Sequence, residues 1–168
     1  MSKDMTGGIK GAAGTHIQTM KNMIEYVNES PYQFGYKAEG DSGYDIRAAE
    51  EKVIKPGEIV LIPTGIYMAI PKGLEGQVRS RSGLAAKHGV HVLNQPGTID
   101  ASYRGEVKVL LHHEMLLHYT EEDAYTVADG ERIAQIVFQK VPQTFLSQVG
   151  DLDATDRGAD GFGSTGRM

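Results

Sequence analysis

The sequence has no cysteine and no tryptophan among its 168 residues. Without cysteine, disulfide bonds, zinc–thiolate centres and thiol nucleophiles are excluded. No run of residues reaches the roughly 18 apolar positions that a membrane helix needs, and no signal peptide is evident. We therefore expect a cytoplasmic protein, or one of the nucleus or of a virus-infected host's cytosol, that has no membrane partner.

Positive charge is also in short supply, because 17 Lys and Arg residues face 22 Asp and Glu residues for a formal net charge of −5. Proteins that bind nucleic acid through bulk electrostatics need a basic face, so nucleic acid is not an expected partner. The arginines nevertheless fall within short motifs rather than scattering. This pattern predicts a small polyanionic ligand. The arginines concerned are Arg79, Arg81, Arg104, Arg132 and Arg157.

Glycine is abundant, with 21 residues, and it follows no triplet period. The sequence is therefore not that of a collagen-like or low-complexity protein. The glycines indicate tight turns or close approaches of backbone to a ligand. A chain of this length supplies one domain with a real hydrophobic core. We expect a flexible tail over residues 1–19, a β domain over residues 20–150 and an arm over residues 151–168.

Short β-type segments separated by Pro-Gly and Asp-Gly turns dominate the central region. The predicted strands are Ile24–Val27, Tyr44–Ala49, Glu58–Ile62, Ile66–Ile70, Gln77–Arg81, Glu106–Leu111, Ala124–Val127 and Arg132–Val141. One helix is predicted over Ser82–His88, with Ser82 as its N-cap and Gly89 just past its C-terminus. Many short strands at this spacing predict an all-β sandwich or barrel with one short helix and a flexible C-terminal arm.

Two segments could handle a phosphate and its cation. Asp45, in the segment Gly40–Arg47, could hold a water bound to Mg²⁺, although a turn with solvated acids would look the same. Arg81, Ser82 and Gly83 stand at the start of the predicted helix, where N–H groups, a glycine and a guanidinium together suit a phosphate. The alternative here is a capped helix with surface arginines.

Residues 94–105 are predicted to form a Gly-bounded hairpin that carries an amide, a carboxylate and an aromatic ring at close spacing. Asp100 could orient or deprotonate a water, and Tyr103 could pack flat against a sugar. A plain hairpin without a catalytic role remains open. In Gly130–Phe138, Gln135 and Arg132 are the functional candidates, and an ion pair within the fold is the favoured role of Arg132.

The last motif, Arg157–Arg167, places four glycines around one aromatic and two hydroxyl side chains, with an arginine in front. Such a segment can cradle phosphates, and its Phe162 could stack on a base. Its low apolar content is equally typical of a disordered terminus. By itself this motif is weak evidence for a site.

Taken in order over about residues 24–168, the five segments resemble the five motifs of the homotrimeric dUTPases. The segments that carry the resemblance read GDSGYDIRA, RSRSGLAAKHG, NQPGTIDASYRGE, GERIAQIVF and DRGADGFGSTG. The resemblance implies a jelly-roll-like fold, a homotrimer with three active sites at subunit interfaces, and an arm that closes over a neighbouring site. It also implies hydrolysis of dUTP to dUMP and pyrophosphate with Mg²⁺, which lowers dUTP and supplies dUMP for thymidylate synthesis.

Residue by residue, Asp100 resembles the family's catalytic base and Asp45 the aspartate that reaches Mg²⁺ through water. The positions that resemble substrate-binding residues of the family are Arg81, Ser82, Gly83, Asn94, Gly97, Thr98, Ile99, Tyr103, Lys108, Gln135, Arg157, Phe162, Gly163, Ser164 and Thr165. Among these, Tyr103 is implied to lie under the deoxyribose and Phe162 to cover the uracil. Arg81, Ser82, Gly83 and Gln135 are implied to contact the triphosphate.

The sequence departs from the family pattern at His112–Tyr119, where we expect a longer surface hairpin rather than a metal site formed by His112, His113 and His118. This segment could serve a protein partner, whose identity the sequence does not reveal. Two other functions stay open. One is a dCTP deaminase-like or bifunctional enzyme, which would release ammonia from dCTP. The other is a regulatory protein that senses dUTP without hydrolysing it.

Overall fold

The computed structural model describes residues 23–35, 38–116 and 120–159. In these residues the chain forms eleven strands and one α-helix, and no helix is long and apolar enough to cross a membrane. The strands are β1 (Glu25–Asn28), β2 (Tyr44–Arg47), β3 (Lys52–Ile54), β4 (Ile59–Ile62), β5 (Ile66–Ala69), β6 (Leu74–Ser80), β7 (Val90–Val92), β8 (Gly97–Ile99), β9 (Val109–His113), β10 (Tyr125–Val127) and β11 (Arg132–Lys140). The helix α1 spans Ser82–His88, and a 3₁₀ turn spans Glu121–Asp123.

The strands pair antiparallel in four small sheets. The largest has the order β2-β11-β6-β8, another has the order β4-β9-β7, and the pairs β1-β5 and β3-β10 complete the fold. Neighbours in these sheets are often far apart in sequence, so the motifs are brought together by crossovers between sheets. The prediction of an all-β protein with one short helix is confirmed.

The core lies where the inner faces of these sheets meet, and branched aliphatic side chains fill it. Alternate residues of β9, namely Val109 and Leu111, are fully buried, as the two-residue period of a strand requires. In β11, which lies between β2 and β6, the consecutive residues Ile133 and Ala134 are both buried, as are Ile136 and Val137. A register shift between Arg132 and Ala134 interrupts its pairing with β2. A bulge of this kind also re-aims the side chains that precede it.

All eight predicted strands are present, with ends displaced by a few residues. The strands β3, β7 and β8 were missed because three residues are too few to show a two-residue period. β10 is equally short, but the Asp129-Gly130 turn after it marked its end. The helix has the predicted bounds, and Gly89 adopts the left-handed conformation at its C-terminus with φ of 64°. The prediction of Ser82 as N-cap is wrong: Arg81 is the capping residue, its backbone is extended, and no side chain caps the helix.

Two predicted hairpins are wrong. Within residues 94–105, all of which the structure describes, β8 pairs with β6 rather than with a partner strand of its own segment. The segment after β9 crosses between sheets, because β9 pairs with β4 and β7 whereas β10 pairs with β3. His113 is not a surface residue either. It is 2% exposed, and its Nδ1 lies 3.1 Å from the carbonyl oxygen of Ile54. His118 lies outside the described residues.

The chain leaves the sheets at the end of β11. The N–H of Val141 donates to the carbonyl oxygen of Gly73 at 2.9 Å, and residues 142–159 then form no helix or strand. This segment is exposed throughout, and it carries apolar side chains: Phe145 is 97% exposed and Leu146 is 100% exposed. Large apolar side chains in water are unfavourable, so this segment of the chain needs a covering surface.

Candidate active site

The order β2-β11-β6 brings three of the sequence motifs to one end of the largest sheet. Gln135 of β11 lies directly opposite Asp45 of β2 on one side and opposite Arg79 of β6 on the other. Directly opposed residues in a sheet point to the same face. Polar side chains from three separated segments therefore share one surface.

Asp45 is the electrostatic centre of this surface. Its Oδ2 accepts a hydrogen bond from Nη1 of Arg132 at 3.1 Å, and its Oδ1 lies 3.8 Å from Nε of Arg81. Arg81 in turn donates from Nη1 to the carbonyl oxygen of Arg132 at 2.6 Å. The predicted ion-pair role of Arg132 agrees with this arrangement. One carboxylate thus holds two guanidinium groups beside the start of α1.

The start of α1 is open to an anion. Ser82 and Gly83 are exposed, and a Cβ placed on Gly83 would have no atom within 4 Å. The first turn contains no acidic residue, and the first N–H groups of an α-helix have no partner within the helix. Beside them, Gln135 donates from Nε2 to the carbonyl oxygen of Ser80 at 3.2 Å. We call these residues, Arg81, Ser82, Gly83 and Gln135, the anion seat.

A glycine that sequence reasoning missed shapes the anion seat. A Cβ on Gly43 would stand 2.5 Å from Oε1 of Gln135 and 3.2 Å from its Cβ. Only a residue without a side chain therefore lets Gln135 lie across this position. The sequence signal was the glycine beside Tyr44 and Asp45, because glycine is the usual residue where another group must come close to the backbone.

A hydrogen bond from the Tyr125 hydroxyl holds Glu131, the residue before β11, in place. The Tyr125 hydroxyl donates to Oε1 of Glu131, and Oε2 of Glu131 accepts from the N–H of Ala128 at 3.0 Å. Burial, and then the hydrogen bond to Glu131, raise the pKa of Tyr125 well above its ordinary value. The phenol therefore stays protonated and keeps donating across the physiological range. Arg132 follows Glu131 directly, so this contact fixes its backbone.

We expect Arg132→Leu to lower the free energy of unfolding by about 1–2 kcal/mol, since a half-buried carboxylate then loses a charged hydrogen-bond donor. Arg81 stays near Asp45 and limits the loss. Urea titration followed by circular dichroism measures the change. The matched control is Arg104→Leu, because Arg104 is exposed and donates to the carbonyl oxygens of Ala101 and Tyr103 within its own turn. An equal loss in both variants would contradict the role assigned to Arg132.

Asp100 lies in a different place, just beyond the end of β8. The carbonyl oxygen of Asp100 accepts from the N–H of Tyr103 at 3.0 Å, which closes a turn and leaves the Asp100 side chain exposed. Asp100 borders a groove of about 1050 Å³ whose other walls include Ile70, Leu74 and Arg104. At the other end of β8, the Asn94 amide lies 3.2 Å from where a Cβ of Gly97 would stand.

Tyr103 and Lys108 meet through Glu106, which sequence reasoning missed. The Tyr103 hydroxyl donates to the Glu106 carbonyl oxygen at 3.0 Å, and Nζ of Lys108 lies 3.5 Å from Oε2 of Glu106. Oε1 of Glu106 accepts from the N–H groups of Thr64 and Gly65, each at 2.9 Å. The sequence signal for Glu106 was its position between Tyr103 and Lys108, two candidate substrate-binding residues. Glu106 ties the Tyr103 turn to the loop between β4 and β5.

The two groups of candidate residues do not meet within one chain. Thr98 and Ile99 pair with Gln77 and Gly76, so Asp100 lies level with the start of β6, whereas Arg81 follows its end. Six residues of strand separate these levels, which is about 20 Å at about 3.3 Å per residue. The predicted arm residue Arg157 lies in the exposed C-terminal segment. Phe162, Gly163, Ser164 and Thr165 lie outside the described residues.

Sequence comparisons match this set of segments to known proteins. The family model for dUTPase matches residues 33–166. The chain belongs to the dUTPase family. The deoxyuridine 5'-triphosphate nucleotidohydrolase of Clostridium kluyveri is 43% identical over 149 residues, which cover 89% of this chain and all of that protein. The corresponding protein of Rhizobium leguminosarum is 48% identical over 150 residues, with 86% and 92% of the two chains covered.

Solved dUTPase structures agree with the fold. The Staphylococcus bacteriophage 80alpha dUTPase with dUPNHPP is 30% identical, has a TM-score of 0.75, and covers 86% of this chain and 99% of its own. A point mutant of the phage enzyme gives a TM-score of 0.78 at 29% identity and the same coverage of both chains. The predictions of the dUTPase family and of its jelly-roll-like fold are confirmed. These comparisons do not favour the dCTP deaminase-like alternative.

Proposed function

We propose that this dUTPase-family protein hydrolyses dUTP to dUMP and pyrophosphate at sites assembled from more than one copy of the chain. The observation that carries the proposal is the separation of Asp100 from the anion seat by about 20 Å along β6. A base that activates a water must lie within roughly 7 Å of the phosphorus that the water attacks, since the contacts on the two sides of the water are each about 3 Å. One chain cannot meet this requirement, whereas neighbouring copies can.

A closed threefold assembly would bring Asp100 to the anion seat of a neighbouring copy and would also cover the exposed segment 142–159. The anion seat of one copy then faces Asp100 of the next, and each site uses the same two surfaces. The apolar side chains of residues 142–159, including Phe145 and Leu146, also gain a neighbouring surface to cover them. The support for a homotrimer is that one arrangement accounts for both the distance between Asp100 and the anion seat and the exposed apolar side chains.

In the proposed reaction the carboxylate of Asp100 accepts a proton from a water as its oxygen attacks the α-phosphorus. The bond from the α-phosphorus to the bridging oxygen breaks, and pyrophosphate leaves. Arg81, the N–H groups at the start of α1 and the Gln135 amide bind the charge that develops on the leaving phosphates. Asp45 orients Arg81 through their 3.8 Å contact.

The donor chemistry around Asp45 fits a Mg²⁺ ion that is bound through water together with substrate phosphates. Mg²⁺ in nucleotide sites commonly uses one or two carboxylates and keeps several waters, and Asp45 is a carboxylate beside the anion seat. In residues 23–35, 38–116 and 120–159, no three His, Asp or Glu side chains group together as ligands of a metal. When bound, the ion would neutralise charge on the triphosphate.

Uracil selection is assigned to β8 and Asn94. Because β8 is the last strand of its sheet, one edge of its backbone faces away from β6 and can bond to a base. Backbone groups of Gly97–Ile99 at fixed positions match the donors and acceptors of uracil and mismatch those of cytosine, a difference that binding sites reject strongly. A close backbone also leaves no room for the 5-methyl group of thymine. Lys108, the exposed residue just before β9, is proposed to complete the pocket.

Pyrophosphate release from dUTP, dTTP, dCTP and UTP tests the function directly. We expect hydrolysis of dUTP with Mg²⁺ and strong preference over the other three nucleotides. Ammonia release from dCTP without pyrophosphate release from dUTP would support the deaminase alternative, and binding of a non-hydrolysable dUTP analogue without any turnover would support the sensor. Either result would overturn the proposal.

The arm residues Arg157, Phe162, Gly163, Ser164 and Thr165 are proposed to close over the bound nucleotide. The dUMP product would supply thymidylate synthesis.

We expect Tyr103→Ala to narrow the preference for dUTP over UTP about tenfold or more, because the ring fills the space that a ribose 2′-hydroxyl needs. The ratio of kcat/KM for the two nucleotides measures this effect. Tyr103→Phe is the matched comparison: it keeps the ring and removes only the hydroxyl's hydrogen bond to the Glu106 carbonyl oxygen, so its loss of preference should be smaller than that of Tyr103→Ala. An unchanged ratio in Tyr103→Ala would place sugar selection elsewhere.

A further inference from the structure

The ring of Tyr103 lies directly over the backbone of Gly105. A Cβ on Gly105 would stand 2.4 Å from the Tyr103 hydroxyl oxygen, 2.6 Å from Cζ and 3.0 Å from Cε2. Real Cβ atoms do not approach other atoms so closely, so any side chain at residue 105 must displace the ring. Gly105 is not among the glycines with positive φ, and its backbone conformation therefore accepts alanine.

The tip of the ring is anchored as well as supported. Its hydroxyl donates to the carbonyl oxygen of Glu106 at 3.0 Å. Glu106 is itself held, since its carboxylate accepts the N–H groups of Thr64 and Gly65. The ring thus lies between a bare backbone beneath it and a fixed acceptor at its tip, and these two contacts define one position for it.

We propose that Gly105 is a specificity-determining residue, which positions the Tyr103 ring so that the ring excludes ribonucleotides. The inference rests on the proposed hydrolysis of dUTP and deepens it. Gly105 does not touch the nucleotide. It acts by lacking a side chain, which lets the ring lie low enough to close the space at the sugar's 2′ position.

A role in folding alone would predict a different outcome. Tyr103 is 44% exposed and Gly105 is half-buried, so the ring can swing outward into solvent without opening the core. Alanine at residue 105 is therefore expected to move the Tyr103 ring without lowering the free energy of unfolding. A second collision of the same kind offers a contrast, because a Cβ on Gly130 would stand 2.4 Å from Cε1 of Tyr32.

The test compares kcat/KM for dUTP and UTP in wild type, Gly105→Ala, Tyr103→Ala and the double variant. We expect the dUTP preference to fall about tenfold in Gly105→Ala, in line with the value of one small group in a pocket. The double variant should match Tyr103→Ala, since alanine at residue 105 has no ring left to displace. An unchanged preference in Gly105→Ala, or a double variant that loses the product of the two single effects, would overturn the inference.

A second glycine variant serves as the control. Gly130→Ala meets Tyr32 and has a φ of 77°, so it should lower the Tm without changing the dUTP preference. If Gly130→Ala lowered the preference as much as Gly105→Ala does, the effect would be one of general stability and the inference would fail.

A readout that needs no activity separates this inference from the proposed function. A crystal structure of Gly105→Ala should show the Tyr103 ring moved away from residue 105 and its hydrogen bond to Glu106 broken. A ring that kept its place would overturn the inference whatever the enzyme's substrate is. Failure of the wild type to hydrolyse dUTP would instead overturn the proposed function.

Discussion

Asp100→Asn is expected to lower kcat for dUTP by a factor of about 10²–10⁴, while nucleotide binding and the fold are kept. Asparagine has the shape of aspartate but cannot accept a proton from water at neutral pH. The side chain is exposed at the end of β8 and supports no part of the core. Single-turnover kinetics with dUTP measure the chemical step, and calorimetry with a non-hydrolysable analogue measures binding.

The matched control for this variant is Glu51→Gln, which removes the same charge from an exposed position between β2 and β3, outside the candidate site. It should keep wild-type kcat to within about twofold, because exposed substitutions away from a site have small effects. If Asp100→Asn retained more than about a tenth of wild-type kcat, Asp100 would not be the base.

Mixed assemblies of two inactive variants are expected to regain activity. Asp100→Asn lacks the base and Arg81→Ala lacks the guanidinium of the anion seat, so each alone should lose at least about a hundredfold in kcat/KM. If a site takes Asp100 from one copy and Arg81 from another, random mixing gives about a quarter of the sites both intact residues. Refolding the two chains together and measuring pyrophosphate release tests this expectation.

The control mixture pairs Arg81→Ala with Asp45→Asn. These residues belong to the same end of one chain's sheet and contact each other at 3.8 Å, so every site would carry one defect and the mixture should stay inactive. Recovery in the control, or none in the Asp100 and Arg81 mixture, would show that the sites are not shared in the way proposed. Sedimentation of the mixed sample would verify that chains have exchanged.

The strands that could be predicted are those with enough length to show alternation or, like Tyr125–Val127, those that a Gly-containing turn delimits. Arg132–Lys140 has nine residues, and its apolar pattern identified it as a mostly buried strand. The three-residue strands Val90–Val92 and Gly97–Ile99 have no such pattern, because their pairing depends on strands far away in sequence. The same limit explains the wrong hairpins, since local spacing cannot tell a turn that closes a pair from one that crosses between sheets.

The five motifs, read in order, were enough to identify the family, the all-β class and the residue types of the candidate site. Each motif combines side chains that suit one chemical task, and five such motifs in one order are specific. Which of these motifs meet could be seen only from the order of the strands in the folded chain. The order β2-β11-β6 unites Asp45, Arg81 and Gln135, and the pairing of β8 with β6 holds Asp100 about 20 Å from them. Strand order and register arise from packing across the whole core, and no local sequence pattern encodes them.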